Sequence, residues 1–279
     1  MRKKLTFLLV LAALISILSM TGCDEDSSGA RLTLIVPKDT AADYTHSAME
    51  GVRRLETDYG IHGEIKECTN NDFLNVAKTA TEKSDYVVIV GFESEDVVDL
   101  VSIYPDTEFI LIDTIISNEK KYDNALCITY DRRECAFLAG YLSAKLADDK
   151  MIGVDSALEE DLISGFYQGA KAADSAARIK KNSDEKICFS ADGEIICEDK
   201  VVAFMKTDVG SSIYDVVKFD IEEGSWYGGK AWKADMSSGY ISLKYSEENE
   251  HQWISAELKS EMERTASKII SGEIKMEAA

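Results

Sequence analysis

The stretch YVVIVGFESEDVVDLVSIYPDTEFILID, residues 86–113, contains two apolar runs separated by a helical segment. The runs at 86–91 and 108–113 are continuous, which is typical of strands that are covered on both faces. Between them, residues 94–104 have the pattern of a helix that ends at Pro105. A strand, a helix and a second strand in this order predict a parallel βαβ unit.

The same alternation continues on both sides of this stretch. Before residue 131 we predict strands at 31–36, 63–68, 86–91, 108–113 and 125–130, with helices at 47–59, 72–83 and 94–104. After a helix at 132–146 that is apolar nearly all round, we predict strands at 151–154, 187–190, 201–205, 231–235 and 240–244, with helices at 159–176, 211–221 and 252–270. The strands at 231–235 and 240–244 are interpreted as a hairpin around Ser237-Ser238-Gly239. The pattern predicts an α/β protein with parallel sheets.

The first thirty residues carry the features of an export signal. Three basic residues precede an apolar run at 5–20, which is shorter than the ~20 residues of a spanning helix. Met20-Thr21-Gly22-Cys23 resembles a bacterial lipobox, which predicts removal of residues 1–22 and lipidation of Cys23. Residues 23–30 then form an acidic tether. The alternative is an ordinary secretory signal in which the cysteine is incidental.

The composition narrows the classes of partner. The chain has 51 acidic and 31 basic residues, for a formal net charge of −20. Such a surface repels phosphate backbones and disfavours a nucleic-acid partner, whereas a neutral ligand meets no such barrier. The sequence contains none of the common hydrolase, metalloprotease or nucleotide-binding motifs, and its three histidines are scattered. We therefore expect neither an enzyme nor a bound cofactor or metal.

Three segments resemble a known family in order and spacing. IVGF at 89–92, YPDTEFILID at 104–113 and ECAFLAGYLSAKL at 134–146 are similar to the basic membrane protein family, whose members are nucleoside-binding lipoproteins of ABC transporters. Further similar segments are VVAFMKTDVGSSIYDVVK at 201–218, the pair Gly228-Gly229, and KIISGEIKM at 268–276. The resemblance covers almost the whole chain after residue 22.

The resemblance implies an architecture and a location. We expect two Rossmann-like lobes of a periplasmic-binding-protein-like fold, the first at 31–130 and a reduced second lobe at 131–250, followed by a C-terminal helix and tail at 251–279. Ligands of such folds lie between the lobes, outside the carboxyl ends of the strands. The implied role is a receptor on the outer face of the bacterial cytoplasmic membrane or in the periplasm. Its partners would be a small neutral nucleoside-like solute and an ABC permease.

The resemblance also implies a ligand site. The residues that match the family's binding positions are Asp43, Tyr44, Phe92, Asp113, Asp192 and Lys206. Tyr44 would stack on a base, while Asp113 would accept hydrogen bonds from ribose hydroxyls and Lys206 would add a further contact. Asp113 and Lys206 also admit a simpler interpretation as solvated residues at strand ends.

Several positions depart from the family pattern. Thr40 and Ala41 replace paired aspartates, and Leu162 replaces a phenylalanine of the second lobe. Two βα units are absent between residues 176 and 187, where about ten residues remain, too few for a βαβ crossover. These losses favour an alternative hypothesis. The protein would be a degenerate lipoprotein that has a regulatory or protein-interaction role and binds no small ligand.

The segment KICFSADGEIICEDK at 186–200 has two interpretations. A two-residue Asp192-Gly193 hairpin would place Cys188 opposite Cys197 with Cα atoms ~4.5 Å apart, which is compatible with a disulfide. The similarity to the family instead favours a strand at 187–190, a cleft loop at 191–199 and a new strand from Val201. In the second interpretation the two cysteines need not meet.

Overall fold

Two six-stranded sheets with helices packed against them make up the described residues, 29–38, 42–182 and 185–277, of a computed structural model. The predicted signal peptide, Cys23, Thr40 and Ala41 lie outside these residues. Among the described residues, no helix combines the length and the apolar character that crossing a bilayer requires.

The first sheet is formed mainly by the first half of the chain. Its elements are β1 (Arg31–Pro37), α1 (Ala42–Tyr59), β2 (His62–Cys68), α2 (Phe73–Thr81), β3 (Tyr86–Val90), α3 (Ser94–Ile103), β4 (Glu108–Ile112) and β5 (Ala125–Tyr130). All neighbouring pairs are parallel, and Val88 of β3 lies beside Leu34 of β1 and Ile110 of β4. Every residue of β3 is buried. The βαβ unit predicted from 86–113 is confirmed.

The second sheet is mixed. Further along the chain lie α4 (Arg133–Leu146), β6 (Met151–Val154), α5 (Glu160–Ala173), β7 (Arg178–Lys181), β8 (Ile187–Phe189), β9 (Glu194–Cys197), β10 (Lys200–Thr207), α6 (Val209–Glu223), β11 (Lys230–Ala234), β12 (Ile241–Tyr245), α7 (Glu250–Trp253) and α8 (Ala256–Ile270). The strand order is β12-β10-β9-β8-β6-β7. β6, β7 and β8 are parallel, whereas β9 and β12 run antiparallel to β10.

The chain crosses between the two lobes three times. The crossings follow β5, β10 and β11, because β11 adds to the first sheet and pairs in parallel with β5. Helix α6 also packs on the first lobe, where Ile213 and Val217 join the core of α1 and β1. The expected second lobe at 131–250 is therefore interrupted, since residues 209–234 belong with the first sheet.

Two glycines explain how closely α6 packs on α1. A Cβ on Gly51 would lie 2.3 Å from the Gly210 carbonyl oxygen, and one on Gly210 would lie 2.0 Å from the Ser47 carbonyl oxygen. Any larger residue at either position would force the two helices apart. This contact brings the start of α6, and with it the second crossing, against the first turns of α1.

The predicted hairpin at 231–244 is wrong. Its two strands exist, but β11 pairs with β5 and β12 pairs with β10 in the other sheet. The Ser237-Ser238-Gly239 turn is real: Asp235 caps a short 3₁₀ segment and accepts a hydrogen bond from the Ser237 amide. β11 pairs with the open edge of β5, and its Trp232 packs on the first core. The turn after β11 therefore connects the two lobes.

Residues 186–200 form a hairpin, but with a different register from the one predicted. Ser190 donates its amide to the Glu194 carbonyl, so three residues, 191–193, make the turn, and Gly193 adopts φ 79°. Cys188 consequently lies opposite Ile196, and Cys197 lies opposite Ile187. A shift of one residue sends the two sulfurs to opposite faces of the sheet. The predicted disulfide and the predicted cleft loop at 191–199 are both wrong.

Two further differences concern short segments. β7 lies in the bridge before residue 187, where no strand was predicted, because RIKK is polar and mostly exposed at the sheet edge. The predicted helix at 252–270 is divided into α7 and α8. Ile254 is buried at the break, and Ser255 begins α8 by accepting a hydrogen bond from the Leu258 amide at 3.2 Å.

Candidate functional site

The carboxyl ends of the parallel strands meet where the chain crosses between the lobes. β5 ends at Tyr130 and β10 ends at Thr207, and a crossing follows each. Arg132 of the first crossing lines a cavity together with Asp192 and Thr207 of the second lobe. Ligands of open α/β folds bind outside the carboxyl ends of the strands. The cleft at these crossings is therefore the candidate site.

Tyr44 and Asp113 are in direct contact in this cleft. Tyr44 lies in the first turn of α1, and its hydroxyl donates a hydrogen bond to Oδ2 of Asp113. The ring packs edge-on against Tyr130, with centroids 6.3 Å apart and planes at 89°. Burial and the neighbouring carboxylate raise the pKa of the Tyr44 hydroxyl, so Tyr44 remains the donor.

Asp113 is exposed at the edge of the first sheet, and neighbouring protein desolvates its carboxyl in part. The residue follows β4 with φ 52°, and its amide donates to the Ile128 carbonyl at 2.8 Å. Desolvation by the surrounding protein raises the pKa of the Asp113 carboxyl, although the hydrogen bond from Tyr44 and the charge of Arg132 act in the opposite direction. A carboxylate in this environment gains from every hydrogen-bond donor that reaches it.

Arg132 links the first crossing to the second lobe. Its Nη2 lies 3.2 Å from Oε1 of Glu159, the residue before α5. The Glu159 side chain is 71% exposed, and exposed ion pairs contribute only about 0–1 kcal/mol. The Arg132–Glu159 pair therefore adds little to the stability of the fold.

The wall of the second lobe encloses little space in this arrangement. A cavity of ≈ 60 Å³ is lined by Arg132, Leu158, Leu162, Ala191, Asp192, Gly193, Met205 and Thr207. A water molecule takes up about 30 Å³ in the liquid, so this cavity has the volume of about two water molecules. A nucleobase is far larger than that. A nucleoside would need the lobes to stand further apart here.

Asp208 joins the second crossing to α1. Ser47 donates from Oγ to Asp208 Oδ1 at 3.3 Å and accepts a hydrogen bond from the Gly210 amide at 3.1 Å. Lys206 Nζ lies 3.9 Å from Asp208 Oδ2. Burial alone would raise the pKa of Asp208, but hydrogen bonds from Ser211 and Ser47 and the charge of Lys206 lower it. Asp208 therefore stays ionised and holds Lys206 near the crossing.

A larger cavity lies at the ends of β1, β2 and β3. Its volume is ≈ 380 Å³, and it is lined by Pro37, Lys38, Cys68, Thr69, Asn70, Asn71 and Gly91. The chain leaves β1 for β2 on one side, while β3 pairs with the other side of β1, so this is a topological switch point. Its volume is within the range of about 300–1,000 Å³ that small-molecule pockets occupy.

The structure brings some of the predicted site residues together and separates others. Tyr44 and Asp113 touch, Asp192 lines the cavity beside Arg132, and Lys206 pairs with Asp208. Asp43 is exposed in the first turn of α1. Phe92 is 5% exposed and stacks on Phe73 at 4.1 Å within the first core. Its assignment as a ligand residue stays a prediction.

Several residues of the cleft were not predicted from the sequence. Tyr130 shares a 2.6 Å hydrogen bond with Ser212, and Arg132 follows it by two residues. Their position just after an apolar strand is a usable signal, since strand ends supply ligand contacts in this fold class. Ser47 and Glu159 carry no such signal, because their place depends on how α1 and α5 pack.

The three histidines lie on the surface of the part of the chain that the structure describes. His46, His62 and His251 are exposed and lie on α1, β2 and α7. No group of three or more His, Cys, Asp or Glu side chains among the described residues is arranged to hold a metal ion.

Comparison with protein families identifies one that matches more than half of the chain. The profile described as "ABC transporter substrate-binding protein PnrA-like" matches residues 36–186. Basic membrane protein A of Borreliella burgdorferi is 24% identical over 321 positions, covering 96% of this chain and 94% of that protein. Since 321 exceeds the 279 residues of this chain by 42, at least 42 positions of that relative have no counterpart here.

A second relative and a solved structure agree with this match. The ABC transporter nucleoside-binding protein BmpA of Lactococcus lactis is 24% identical, over 74% of this chain and 66% of its own length. A solute-binding protein of an ABC transporter system from Aeropyrum pernix K1 superposes with a TM-score of 0.68 at 16% identity, covering 88% of this chain and 92% of that one. At this identity the structural likeness establishes the fold alone.

Proposed function

The chain belongs to the PnrA-like family of ABC transporter substrate-binding proteins, and from this premise we propose that it binds a nucleoside or a similar small neutral solute in the interlobe cleft. It would act as a lipid-anchored receptor outside the cytoplasmic membrane and deliver the solute to an ABC permease. The lipid would be attached at Cys23.

The observation that carries this proposal is the pair of Tyr44 and Asp113 at the carboxyl edge of the first sheet. The Asp113 carboxylate can accept hydrogen bonds from sugar hydroxyls, which are neutral donors. An aromatic ring beside it offers a face for a base, and such stacking contributes about 1–3 kcal/mol per base in nucleic-acid complexes. One end of a nucleoside would thus meet Asp113 and the other would meet an aromatic surface.

The charges in the cleft favour a neutral solute over a phosphorylated one. Arg132 is paired with Glu159, and Lys206 is paired with Asp208, so both cations already have an acidic partner. Asp113 and Asp192 add negative charge on the two sides of the cleft. A phosphate group would have to compete with carboxylates for each cation and would be repelled by the remaining acids.

Lobe closure would take place about the three crossings, which hydrogen bonds join to one another. The Asp131 amide donates to the Ala234 carbonyl at 2.7 Å, and the Asp208 amide donates to the Tyr240 carbonyl at 2.7 Å. Burial favours the neutral form of Asp131, but hydrogen bonds from Arg133 and Lys233 hold its pKa well below the usual range. The crossings are thus tied to one another, and the lobes would move about them as units.

Thermal unfolding with a panel of nucleosides tests the proposal. Ligand at 100 times its Kd should stabilise the protein by about 2.7 kcal/mol, which raises Tm by several degrees. Asp113→Asn should abolish the shift, because one acceptor oxygen becomes an amide donor. Asp106→Asn is the matched control, since Asp106 is exposed and lies before β4 at the opposite end of the strand. The absence of a shift with every nucleoside and pentose would refute the proposal.

A second function is favoured by the positions that this chain lacks relative to basic membrane protein A of Borreliella burgdorferi and by the small cavity at Asp192. The protein would then be an envelope lipoprotein with a regulatory or protein-interaction role and no small ligand. If this second function is correct, cross-linking experiments should find a stable protein partner. The nucleosides of the panel should then leave Tm unchanged. A thermal shift with any nucleoside would argue against it.

A further inference from the structure

Several tyrosine hydroxyls donate hydrogen bonds to carboxylates, and one of these bonds joins the two lobes. Tyr240 donates to Oδ2 of Asp215 at 3.0 Å. Tyr240 belongs with the second sheet, whereas Asp215 lies on α6, which packs on the first lobe. The other bonds of this kind lie within one lobe and include those of Tyr59 to Glu222, Tyr86 to Asp220, Tyr214 to Asp58 and Tyr141 to Glu261.

The backbone of Tyr240 is part of the second lobe. It directly precedes β12, and its carbonyl accepts a hydrogen bond from the Asp208 amide at 2.7 Å. Because β12 pairs with β10 through Ile241 and Thr207, Tyr240 lies where the second crossing leaves the sheet. Burial and then the charge of Asp215 raise the pKa of the Tyr240 hydroxyl, so Tyr240 remains the donor.

Asp215 cannot follow the second lobe, because α6 is fastened to α1. Tyr214, the preceding residue, donates to Oδ2 of Asp58 at 2.8 Å. The close approach of Gly51 and Gly210 holds the start of α6 against the same helix. A rotation of the second lobe about the crossings therefore moves the Tyr240 hydroxyl relative to the Asp215 carboxylate.

The strength of this bond suits a contact that forms and breaks. A hydrogen bond to an ionised acceptor is stronger than one between neutral groups. Tyr240 is half-buried, but Asp215 is exposed, so water can replace the tyrosine at the carboxylate when the two side chains separate. The net contribution of the bond is therefore modest, and it favours one position of the lobes without fixing it.

We propose that the Tyr240–Asp215 hydrogen bond is a latch, a contact outside the crossings that favours the relative position of the lobes seen in this structure. Each lobe supplies one partner, so the bond forms in this position and breaks when the lobes rotate away from it. Tyr240 is thus a positioning residue that acts through the lobes and not through contact with a solute. The latch goes beyond the proposed function, since it does not depend on which solute the cleft binds.

Double electron–electron resonance in the solute-free protein tests the latch by measuring distances between two spin labels. Positions 95 and 161 are exposed in the first turns of α3 and α5, at the carboxyl edges of the two sheets. Labels carried there by noncanonical amino acids report across the cleft and leave the native cysteines unmodified. In Tyr240→Phe, the ratio of the main distance population to all others should fall about 5-fold, equivalent to about 1 kcal/mol.

Two further variants separate the latch from general loosening. Asp215→Ala removes the acceptor in place of the donor and should give the same redistribution, and the double variant should add nothing to it. Because Asp215 is exposed, Asp215→Ala also tests the latch if Tyr240→Phe does not fold. Tyr141→Phe removes a matched bond, to Glu261 at 2.7 Å within the second lobe, and should leave the distances unchanged.

The outcomes are independent of the proposed function. An unchanged distance distribution in Tyr240→Phe and Asp215→Ala overturns the latch, and so does an equal redistribution in Tyr141→Phe. Because these measurements contain no solute, neither result bears on the nucleoside receptor. Failure of every nucleoside to bind would overturn the proposed function and leave the latch in place.

Discussion

Glu108 gives the protein a pH-dependent stability that can be measured without any ligand. It begins β4 at the end of the strand remote from the cleft, and its Oε2 is buried without a hydrogen-bond partner. Asp220 of α6 lies close enough to add repulsion and accepts a 2.6 Å hydrogen bond from Tyr86. Burial and then the charge of Asp220 raise the pKa of Glu108 to about 7.

The sign follows from the direction of this shift. The ordinary pKa of a glutamate is about 4.5, so the folded protein binds a proton more tightly than the unfolded chain does. The stabilisation is complete below about pH 4.5 and is lost as the pH rises through about 7. A rise of the Glu108 pKa from 4.5 to about 7 corresponds to about 3 kcal/mol, which the partial exposure of Glu108 reduces to about 1–2 kcal/mol.

Urea unfolding at pH 5 and pH 8 measures the effect, with tryptophan fluorescence as the signal. Trp226 reports on this region because its ring lies 6.2 Å from that of Tyr86. Glu108→Gln removes the titrating group, so between pH 5 and pH 8 its free energy of unfolding should fall by about 1–2 kcal/mol less than that of the unmodified protein. Glu67→Gln, on the exposed face of β2, is the control and should behave as the unmodified protein does. Equal pH dependence in Glu108→Gln and the unmodified protein would refute the reasoning.

Two predictions concern the packing of the lobes. Phe166→Ala removes a buried ring that stacks on Phe189 at 4.7 Å and should lower the free energy of unfolding by about 3–5 kcal/mol, whereas a loss below about 1 kcal/mol in urea unfolding would contradict this packing. Gly51→Ala places a methyl group 2.3 Å from the Gly210 carbonyl oxygen and should cost about 1–3 kcal/mol by the same measurement. If Gly51→Ala were neutral, the close approach of α1 and α6 would be wrong.

The fold class could be predicted from the sequence because a strand that is buried on both faces appears as a continuous apolar run. The apolar runs of β3 and β4 need no knowledge of distant residues, and the intervening helix ends at a proline. Asp113 follows the second of these strands, and its expected place in the ligand site came from the resemblance to the family and stays a prediction. The sequence did not indicate the surroundings of Phe92, because an aromatic side chain at a strand end suits either a cleft or a core. Its stacking on Phe73 depends on how α2 packs on the sheet.

The register of the hairpin at residues 187–197 could not be predicted from the sequence. The sequence predicts a turn at Asp192-Gly193, and a turn is present with Gly193 in the left-handed conformation. Whether two or three residues form the turn depends on how β9 fits between β8 and β10. With one residue more in the turn, Cys188 and Cys197 lie on opposite faces of the sheet instead of on the same face. The disulfide prediction failed on this difference.

By itself, the sequence determined the alternation of strands and helices, the acidic character and the resemblance to solute receptors, because periodicity, charge and motifs are local properties. Only the tertiary structure decided that β11 joins the first sheet and β12 the second, because the choice depends on which sheet edge is open. Tertiary structure also decided that Tyr44 contacts Asp113, since residues 69 positions apart meet only after α1 packs on its sheet. Pairing across such distances is an energetic outcome of the whole core, which no single segment encodes.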